Sequence, residues 1–277
     1  MSTRSRWLID KSEAVSRGAM VTAMHPLAAD VGAQILERGG SAIDAAIATA
    51  FAIGVVEPFM SGVGGIAFLV YRDAATGQTV CFDGSSVLPA AIRPEMFELL
   101  DPSQRTGMYM WRATRDDANN TGWLSPAVPG MPALMQEAHR RYGRLPWREL
   151  LEPAIRLAAE GFEVDFYVGM FIAANYERLH RCETSRRTFY KPSGAPLSPS
   201  TGFTPGDRLV QTDLARTLRL IAEEGADVVY RGEIARLIAE DMRRHGGLIA
   251  EADLAAHRGS PARATRPRGC ACRARWR

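Results

Sequence analysis

The run from Ala42 to Val56 is the sequence feature that most constrains the fold. It consists almost wholly of Ala, Ile, Val and Phe, so a helix over it is apolar on every side. A helix of this kind has to be buried by other elements. Ser41 and Asp44 stand in the relation of a capping box at its start, and Glu57-Pro58 ends it because proline disfavours the α region for the preceding residue. The sequence therefore predicts a globular core with this helix in its interior.

Length and composition place the chain among globular proteins. Its 277 residues are 46% hydrophobic and 23% charged, which excludes the collagen-like, disordered and disulfide-scaffold classes. One large domain or two small ones fit this length. No apolar run approaches the roughly 18 residues of a membrane span, and only a three-residue apolar run precedes Asp10, so no secretory signal is seen. We therefore expect a cytoplasmic protein that has no membrane partner.

Positive charge is concentrated in residues 258–277. This segment holds seven of the 34 Lys and Arg residues and none of the 31 Asp and Glu residues, so the rest of the chain is mildly acidic. It has no hydrophobic period and almost no large apolar residue, so it cannot build a core. We expect a domain over residues 18–257, preceded by a polar segment, 1–17, and followed by a basic tail, 258–277, that is disordered or read out of frame.

Hydrophobic periods and punctuating residues predict the other elements. The first half predicts a short strand at Ala19–Ala23, a helix at Pro26–Gly39 and a Gly-rich loop at Ser61–Gly65. It then predicts a hairpin of Ile66–Tyr71 with Gln78–Phe82, a further helix at Pro94–Leu100 and a long polar loop at 101–129. The second half predicts five helices and a connector, the helices at 131–142, 151–158, 163–182, 212–224 and 234–242 and the connector at 191–206.

Residue types alone identify no complete active site. A phosphate cradle requires glycines between a strand and a helix N-terminus, whereas Ser61–Gly65 lies between a helix and a strand, so a close-packed turn is favoured. Cys270 and Cys272 have no partner ligands at zinc spacing, and the five His residues are scattered. No Gly-x-Ser-x-Gly elbow occurs, and Cys81 is predicted to be a small buried hydrophobe on a strand. We therefore assign no catalytic residue, metal ligand or cofactor, and the fold class stays open between α/β and α+β.

A resemblance extends this interpretation. The blocks that carry it in the first half are Met20-Val-Thr-Ala-Met-His-Pro-Leu-Ala, Leu36-Glu-Arg-Gly-Gly-Ser-Ala-Ile-Asp-Ala-Ala, Gly54-Val-Val-Glu-Pro and Ser61-Gly-Val-Gly-Gly-Ile-Ala-Phe-Leu. Further along the chain they are Ala127-Val-Pro-Gly, Arg141-Tyr-Gly-Arg-Leu-Pro-Trp, Glu152-Pro-Ala-Ile-Arg-Leu-Ala-Ala-Glu-Gly, Gly232-Glu-Ile-Ala and Asp253-Leu-Ala-Ala. In this collinear order, from about Gly18 to His257, the chain resembles the N-terminal, large-subunit half of the γ-glutamyltransferase family.

The resemblance implies a fold and a chemistry. The family is similar to the N-terminal-nucleophile hydrolases, so we expect an α+β chain that forms the helix-rich part of a four-layer αββα sandwich. A precursor cuts itself in two, and the new N-terminal Thr of the small subunit attacks a γ-glutamyl amide such as that of glutathione. The α-amine of that Thr serves as its base. The acyl group then passes to water or to an acceptor amine.

Two departures from the family pattern shape the functional prediction. The Thr-Thr-His-like stretch that opens the small subunit does not occur here, so the chain alone is predicted to be inactive. The family also places an Arg after the hairpin to bind the substrate's α-carboxylate. Ser85 stands at that position here, followed by Ser86, and these two residues are the candidate substrate-binding residues. Because that Arg is absent, we do not expect a γ-glutamyl preference, and the activities of related members, as acylases or on other amides, are favoured.

Three functional readings follow. The leading one is the large-subunit portion of a γ-glutamyltransferase-like enzyme, truncated or frameshifted after about His257, whose partners are the missing small subunit and a small-molecule amide. The alternative is a non-catalytic interaction subunit that pairs with a separately encoded small subunit. A nucleic-acid binder using the basic tail ranks last, because the tail lacks interleaved aromatic residues and the body has no basic face. We also expect an open sheet edge and an apolar face that limit solubility.

Overall fold

Helix α2 (Ala42–Val56) occupies the interior of the protein, as its sequence predicts. The computed structural model describes residues 12–107 and 109–257, and it describes 263–265 by backbone alone. Ten of the 15 residues of α2 are buried. The capping box is formed, since the backbone N–H of Ser41 donates to Asp44 Oδ2 over 2.8 Å and that of Asp44 donates to Ser41 Oγ over 3.1 Å.

Helices account for most of the described secondary structure. Besides α2 they are α1 Pro26–Glu37, α3 Met131–Tyr142, α4 Trp147–Glu160, α5 Phe166–Ala174, α6 Tyr176–His180, α7 Glu183–Phe189, α8 Thr212–Glu224, α9 Asp227–Arg231, α10 Glu233–His245 and α11 Glu251–Ala256. Helices α1, α3 and α4 pack directly on α2, and α8 packs on α4. These contacts give α2 the all-round burial that its composition requires.

The start of α2 is tied to the turn between α3 and α4. The Asp44 carboxylate, which is fully buried, accepts hydrogen bonds from the backbone N–H groups of Arg144 at 2.9 Å and Leu145 at 3.2 Å. The hydroxyl of Ser41 donates to the carbonyl of Tyr142 over 3.0 Å. The same two residues that cap α2 therefore also fix the position of α3 and α4 relative to it.

The strands form one principal sheet and two minor pairs. They are β1 Ala67–Arg72, β2 Thr79–Gly84, β3 Arg105–Thr106, β4 Trp111–Arg112, β5 Phe162–Glu163, β6 Arg208–Leu209 and β7 Arg263–Thr265. The principal sheet has the order β1, β2, β7 and is antiparallel throughout. Its hairpin register pairs Ala67 with Gly84, and Thr79 pairs on its other side with Thr265. In the described part of the chain, β1 is an edge strand.

The two faces of β1 differ sharply in burial. Leu69 and Tyr71 pack against the helical core. Residues on the opposite side of a strand alternate with them, and here those residues are Ile66, Phe68 and Val70, with exposed fractions of 56%, 66% and 71%. We call these three residues the bare face. The expected apolar face and open edge are thus both present in the described residues.

Three predicted elements differ from the structure. Ala19–Ala23 is not a strand, because no described strand runs beside it to complete a hydrogen-bonded ladder. The helix predicted near Pro94 is a single 3₁₀ turn over Pro94–Met96. The long helix predicted over 163–182 breaks at Asn175, where φ is −106° and ψ is 23° and the side-chain Nδ2 donates to the Phe171 carbonyl over 2.9 Å.

The hairpin and the major helices lie where the sequence predicts them, so the helix-rich α+β class is confirmed. Within the predicted basic tail, 258–277, the backbone of residues 263–265 pairs with β2 as strand β7, and the division of the chain at about His257 stays a prediction. The rest of that tail and residues 1–11 of the predicted N-terminal segment lie outside the described residues. Within the described residues, no helix combines the length and the apolar character needed to cross a membrane.

Candidate functional site

The candidate residues Ser85 and Ser86 lie directly after the last residue of β2. Ser85 is half-buried and Ser86 is exposed. The Ser85 backbone N–H donates to Asp83 Oδ1 over 2.9 Å, and the Ser85 hydroxyl donates to the same oxygen over 2.6 Å. The loop therefore presents a hydroxyl that is oriented by a carboxylate, where the family pattern would place a guanidinium.

Close backbone packing holds this loop against the start of α3. The backbone N–H groups of Gly130 and Met131 both donate to the Gly65 carbonyl over 3.1 Å. A Cβ atom on Gly130 would lie 2.1 Å from the Gly84 carbonyl oxygen, and one on Gly84 would lie 2.9 Å from the Ala67 oxygen. Three glycines from distant parts of the sequence thus meet at the base of the Ser85 loop. Of the Gly-rich loop, only Gly65 is closely packed: a Cβ atom on it would lie 3.2 Å from the Gly62 carbonyl oxygen, whereas one on Gly62 or Gly64 would meet no atom within 4 Å.

Tyr230 fixes the other side of the same region. Its hydroxyl donates to the Pro129 carbonyl over 2.9 Å and accepts from the Ala133 N–H over 3.2 Å. Burial raises the pKa of this hydroxyl, so it stays protonated and keeps both roles. The ring of His257 stacks on Tyr230 with centroids 4.9 Å apart. The last described helical segment is therefore linked through Tyr230 to the loop that precedes α3.

A second group of titratable side chains lies at the C-terminus of α2. Glu57, at the C-terminus of α2, is 4% exposed, and burial together with the nearby Asp165 carboxylate raises its pKa. Burial lowers the pKa of His25, and Asp165, whose Oδ2 lies 3.6 Å from His25 Nε2, acts in the opposite direction. The raised pKa of Glu57 and the lowered pKa of His25 favour the neutral form of each group in the folded protein.

Sequence reasoning missed one concave region. A cleft of about 770 Å³ lies between the turn after α2 and helices α5 to α7, and Phe59, Phe171 and Arg178 are among its lining residues. The Arg178 guanidinium is paired with Asp117 at 2.9 Å. No local sequence pattern predicts this cleft, because the residues that line it come from three distant segments of the chain. In residues 12–107 and 109–257, His, Cys, Asp and Glu side chains form no group of three that could hold a metal ion.

Known proteins match this chain over most of its length. The family described as Gamma-glutamyltranspeptidase matches residues 28–266. The chain is 43% identical over 245 residues to an Acylase ACY 1 proenzyme of Pseudomonas sp. (strain SE83), covering 88% of this chain and 41% of that proenzyme. It is 36% identical over 240 residues to a Glutathione hydrolase proenzyme of Bacillus subtilis (strain 168), covering 87% of this chain and 38% of that proenzyme.

A solved structure agrees with these matches. The Helicobacter pylori gamma-Glutamyltranspeptidase superposes with a TM-score of 0.78 at 31% identity, covering 90% of this chain and 66% of that chain. The predicted assignment to the N-terminal-nucleophile hydrolase sandwich is confirmed by this likeness. The chain spans about two fifths of the length of the curated proenzymes named above. On the strength of a match over most of its residues, this chain belongs to the γ-glutamyltranspeptidase family.

Proposed function

We propose that this chain is the large-subunit portion of an enzyme that hydrolyses an amide or transfers its acyl group to an amine. A small-subunit half supplies the N-terminal Thr, whose hydroxyl attacks the amide carbonyl while its own α-amine accepts the proton. The acyl-enzyme then reacts with water or with an acceptor amine. The large-subunit chain shapes the acyl-binding side of the site and has no turnover alone.

The bare face is the observation that carries this proposal. Ile66, Phe68 and Val70 form an apolar strip that is more than half exposed, on a sheet whose other side is packed. A strip of this kind calls for a covering partner. In a fold where two sheets pack face to face, a second sheet is the natural cover. We therefore expect the small-subunit half to cover the bare face and to place its Thr near the Ser85 loop.

The Ser85 loop supports an uncharged acyl group as the substrate's recognised part. Ser85 provides one hydroxyl, and its partner Asp83 would repel an α-carboxylate placed nearby. A γ-glutamyl group carries such a carboxylate, whereas the acyl part of many other amides does not. The similarity to the Acylase ACY 1 proenzyme points the same way. We infer an acylase-type preference in this chain, with γ-glutamyl amides as poor substrates.

Co-expression of this chain with the C-terminal part of the Acylase ACY 1 proenzyme tests both proposals. We expect the pair to co-purify and to hydrolyse a hexanoyl anilide faster than a γ-glutamyl anilide. Ser85→Arg should reverse that order, because a guanidinium binds the α-carboxylate through paired hydrogen bonds. Ser193→Arg, which places the same side chain on an exposed serine of the connector 191–206, serves as the control and should leave the order unchanged.

Two outcomes separate the competing functions. A stable pair without turnover of either anilide would support the alternative, a non-catalytic interaction subunit, which the bare face also allows. Saturable turnover by this chain in the absence of the second half would overturn the proposal. If Ser85→Arg and Ser193→Arg act alike, the assignment of Ser85 as the residue that selects the acyl group is wrong.

A further inference from the structure

The cleft beside α5 to α7 is a concavity that the proposed amide transfer does not use. Its volume of about 770 Å³ lies within the range of about 300 to 1,000 Å³ typical of small-molecule sites. Its walls come from the turn after α2, from the loop that contains Gly107 and Asn120, and from helices α5, α6 and α7. It is thus a region where three separate segments of the chain meet.

An aromatic platform forms one wall. The rings of Phe59 and Phe171 are stacked with centroids 4.1 Å apart and planes 5° apart. Tyr167 meets both rings edge-on, at 5.6 Å and 5.1 Å, and holds the stack from behind. Phe189 lines the cleft as well, and it, Phe59 and Phe171 are each half-buried. Apolar aromatic surface therefore remains available to a ring that enters the cleft.

The opposite end of the cleft is polar and carries a cation. Arg178 is the only ionic side chain among the described lining residues apart from the titratable Cys182 thiol. Its partner Asp117 does not line the cleft, and the bond between them runs from Arg178 Nη2. A guanidinium has five N–H donors, so this bond leaves most of them for another acceptor. The arrangement suits an anionic oxygen pair on the ligand.

The loop behind Arg178 is held in a costly conformation. Asp116 and Asp117 both have positive φ, 57° and 56°, which is uncommon for residues other than glycine. The Asp117 carboxylate stabilises it by accepting from Thr106 at 2.8 Å, Asn120 at 2.8 Å and Thr121 at 3.1 Å. Strained backbone that is held by many bonds occurs most often at functional sites.

The state of Asp117 keeps the polar end organised. Burial opposes ionisation of its carboxyl, yet the hydrogen bonds it accepts and the charge of Arg178 hold its pKa below the usual range. Asp117 is therefore ionised near neutral pH and fixes the direction of the Arg178 guanidinium. The cation is positioned before any ligand arrives, which reduces the entropy lost on binding.

We propose that this cleft binds a small aromatic carboxylate, with its ring on the Phe59 and Phe171 platform and its carboxylate on the free edge of Arg178. The ligand is a compact molecule in which a short linker joins the ring to the carboxylate. The proposal goes beyond amide transfer, since no residue of the Ser85 loop takes part in it. It assigns the cleft a ligand of its own.

Alkylation of Cys182 reports on occupancy. Its thiol lines the cleft and is exposed, whereas Cys81 lies on β2 in another part of the molecule. The full chain is treated with iodoacetamide at increasing concentrations of 3-phenylpropionate, and each cysteine peptide is followed by mass spectrometry. At ten times the Kd, alkylation of Cys182 should slow about tenfold because only the empty cleft reacts. Alkylation of Cys81 should not change.

Variants test separately how the cleft recognises the carboxylate and the ring of the ligand. Arg178→Gln should weaken binding of 3-phenylpropionate about tenfold, since it removes a charged hydrogen-bond donor. Arg181→Gln, which removes an exposed arginine outside the cleft, should not weaken it. Phe171→Leu leaves the charge in place and should weaken binding about threefold through loss of the ring contact. Circular dichroism of each variant checks that the helices remain folded.

The same measurement defines the results that would overturn the proposal. If 3-phenylpropanamide protects Cys182 as well as 3-phenylpropionate does, the cleft does not select an anion. If hexanoate protects equally well, the aromatic platform does not select a ring. Unchanged alkylation of Cys182 at about 10 mM ligand, far above the Kd expected of a specific small-molecule site, would remove the site altogether. None of these outcomes depends on amide turnover.

Discussion

Helix α2 and strand β1 are neighbours in sequence but differ in how completely the described chain surrounds them. Phe51 in α2 is 1% exposed and packs edge-on against Trp147 of α4 with ring centroids 5.7 Å apart. Phe68 in β1 is 66% exposed. The same type of side chain is thus fully enclosed in one element and largely bare in the other. The helical layer completes its own packing, whereas the sheet leaves one apolar face exposed.

The largest loss of stability is expected when the enclosed side chain of Phe51 is truncated. Phe51→Ala removes a ring from a fully packed position and should lower the free energy of unfolding by about 3 to 5 kcal/mol. Urea denaturation followed by circular dichroism measures the change. Phe68→Ala serves as the matched control and should change stability by less than about 0.5 kcal/mol. Equal losses for the two variants would show that β1 is already enclosed.

The next effect tests the polar anchor of α2. Asp44→Ala leaves three backbone N–H groups without their acceptor, those of Ser41, Arg144 and Leu145. We expect a loss of about 2 to 4 kcal/mol, because buried donors without a partner are costly. Asp30→Ala, on the neighbouring helix α1, removes a carboxylate from outside the capping box and should cost far less. A small effect of Asp44→Ala would mean that water replaces the carboxylate.

A smaller effect concerns pH. Both ring nitrogens of His257 are buried without a hydrogen-bond partner, and burial, aided by the charge of Arg231, lowers its pKa from 6.5. The unfolded chain therefore binds the proton first, and stability is lost as pH falls from about 7.5 through the folded pKa. Unfolding curves at several pH values measure this loss.

His257→Phe isolates the contribution of that ring. It keeps the stack on Tyr230 and removes the titration, so the variant should become progressively more stable than the parent as pH falls below 6.5. His25, whose pKa is also lowered, and Glu57, whose pKa is raised, titrate in both proteins and cancel in the difference. A pH-independent difference would contradict the predicted role of His257.

The smallest effect on stability is expected at the bare face. Phe68→Ser should change the free energy of unfolding by less than about 0.5 kcal/mol while reducing aggregation of the chain, because it interrupts an exposed apolar strip. Light scattering at increasing concentration measures the second change. Leu69→Ser, on the packed side of the same strand, should destabilise the fold instead. Unaltered aggregation of Phe68→Ser would indicate that another surface drives association.

Local signals in the sequence are sufficient to predict the elements whose ends are marked by a capping residue, a proline or a turn. The capping box at Ser41 and the proline after Glu57 define α2, and the turn before Gln78 defines the hairpin. The break at Asn175 could not be read in this way, because helix propensity continues across it and the side chain that ends α5 bonds only to its own preceding turn. The strand expected at Ala19–Ala23 had the right composition but found no partner.

The candidate functional regions, the Ser85 loop and the cleft, differ in the same way. Ser85 was located from the sequence because it follows a predicted hairpin and stands at a family position. The cleft was not, since Asp117 and Arg178 come together only through the packing of a loop on α6. The meeting of Gly65, Gly84 and Gly130 is also a tertiary fact, which no single glycine signals. Sequence patterns predict the local structure of residues that are close in the chain, whereas the residues of these sites come from distant segments.

The place of β7 in the sheet has a consequence for the order in which the molecule is made. Its partner β2 leaves the ribosome early, and the helices of the core follow long before Arg263–Thr265 is translated. Chains acquire structure progressively during synthesis, starting from the N-terminus. The β2 edge of the nascent hairpin therefore stays unpaired while the helical layer assembles beside it. A chaperone that covers an exposed strand edge would act mainly during that interval.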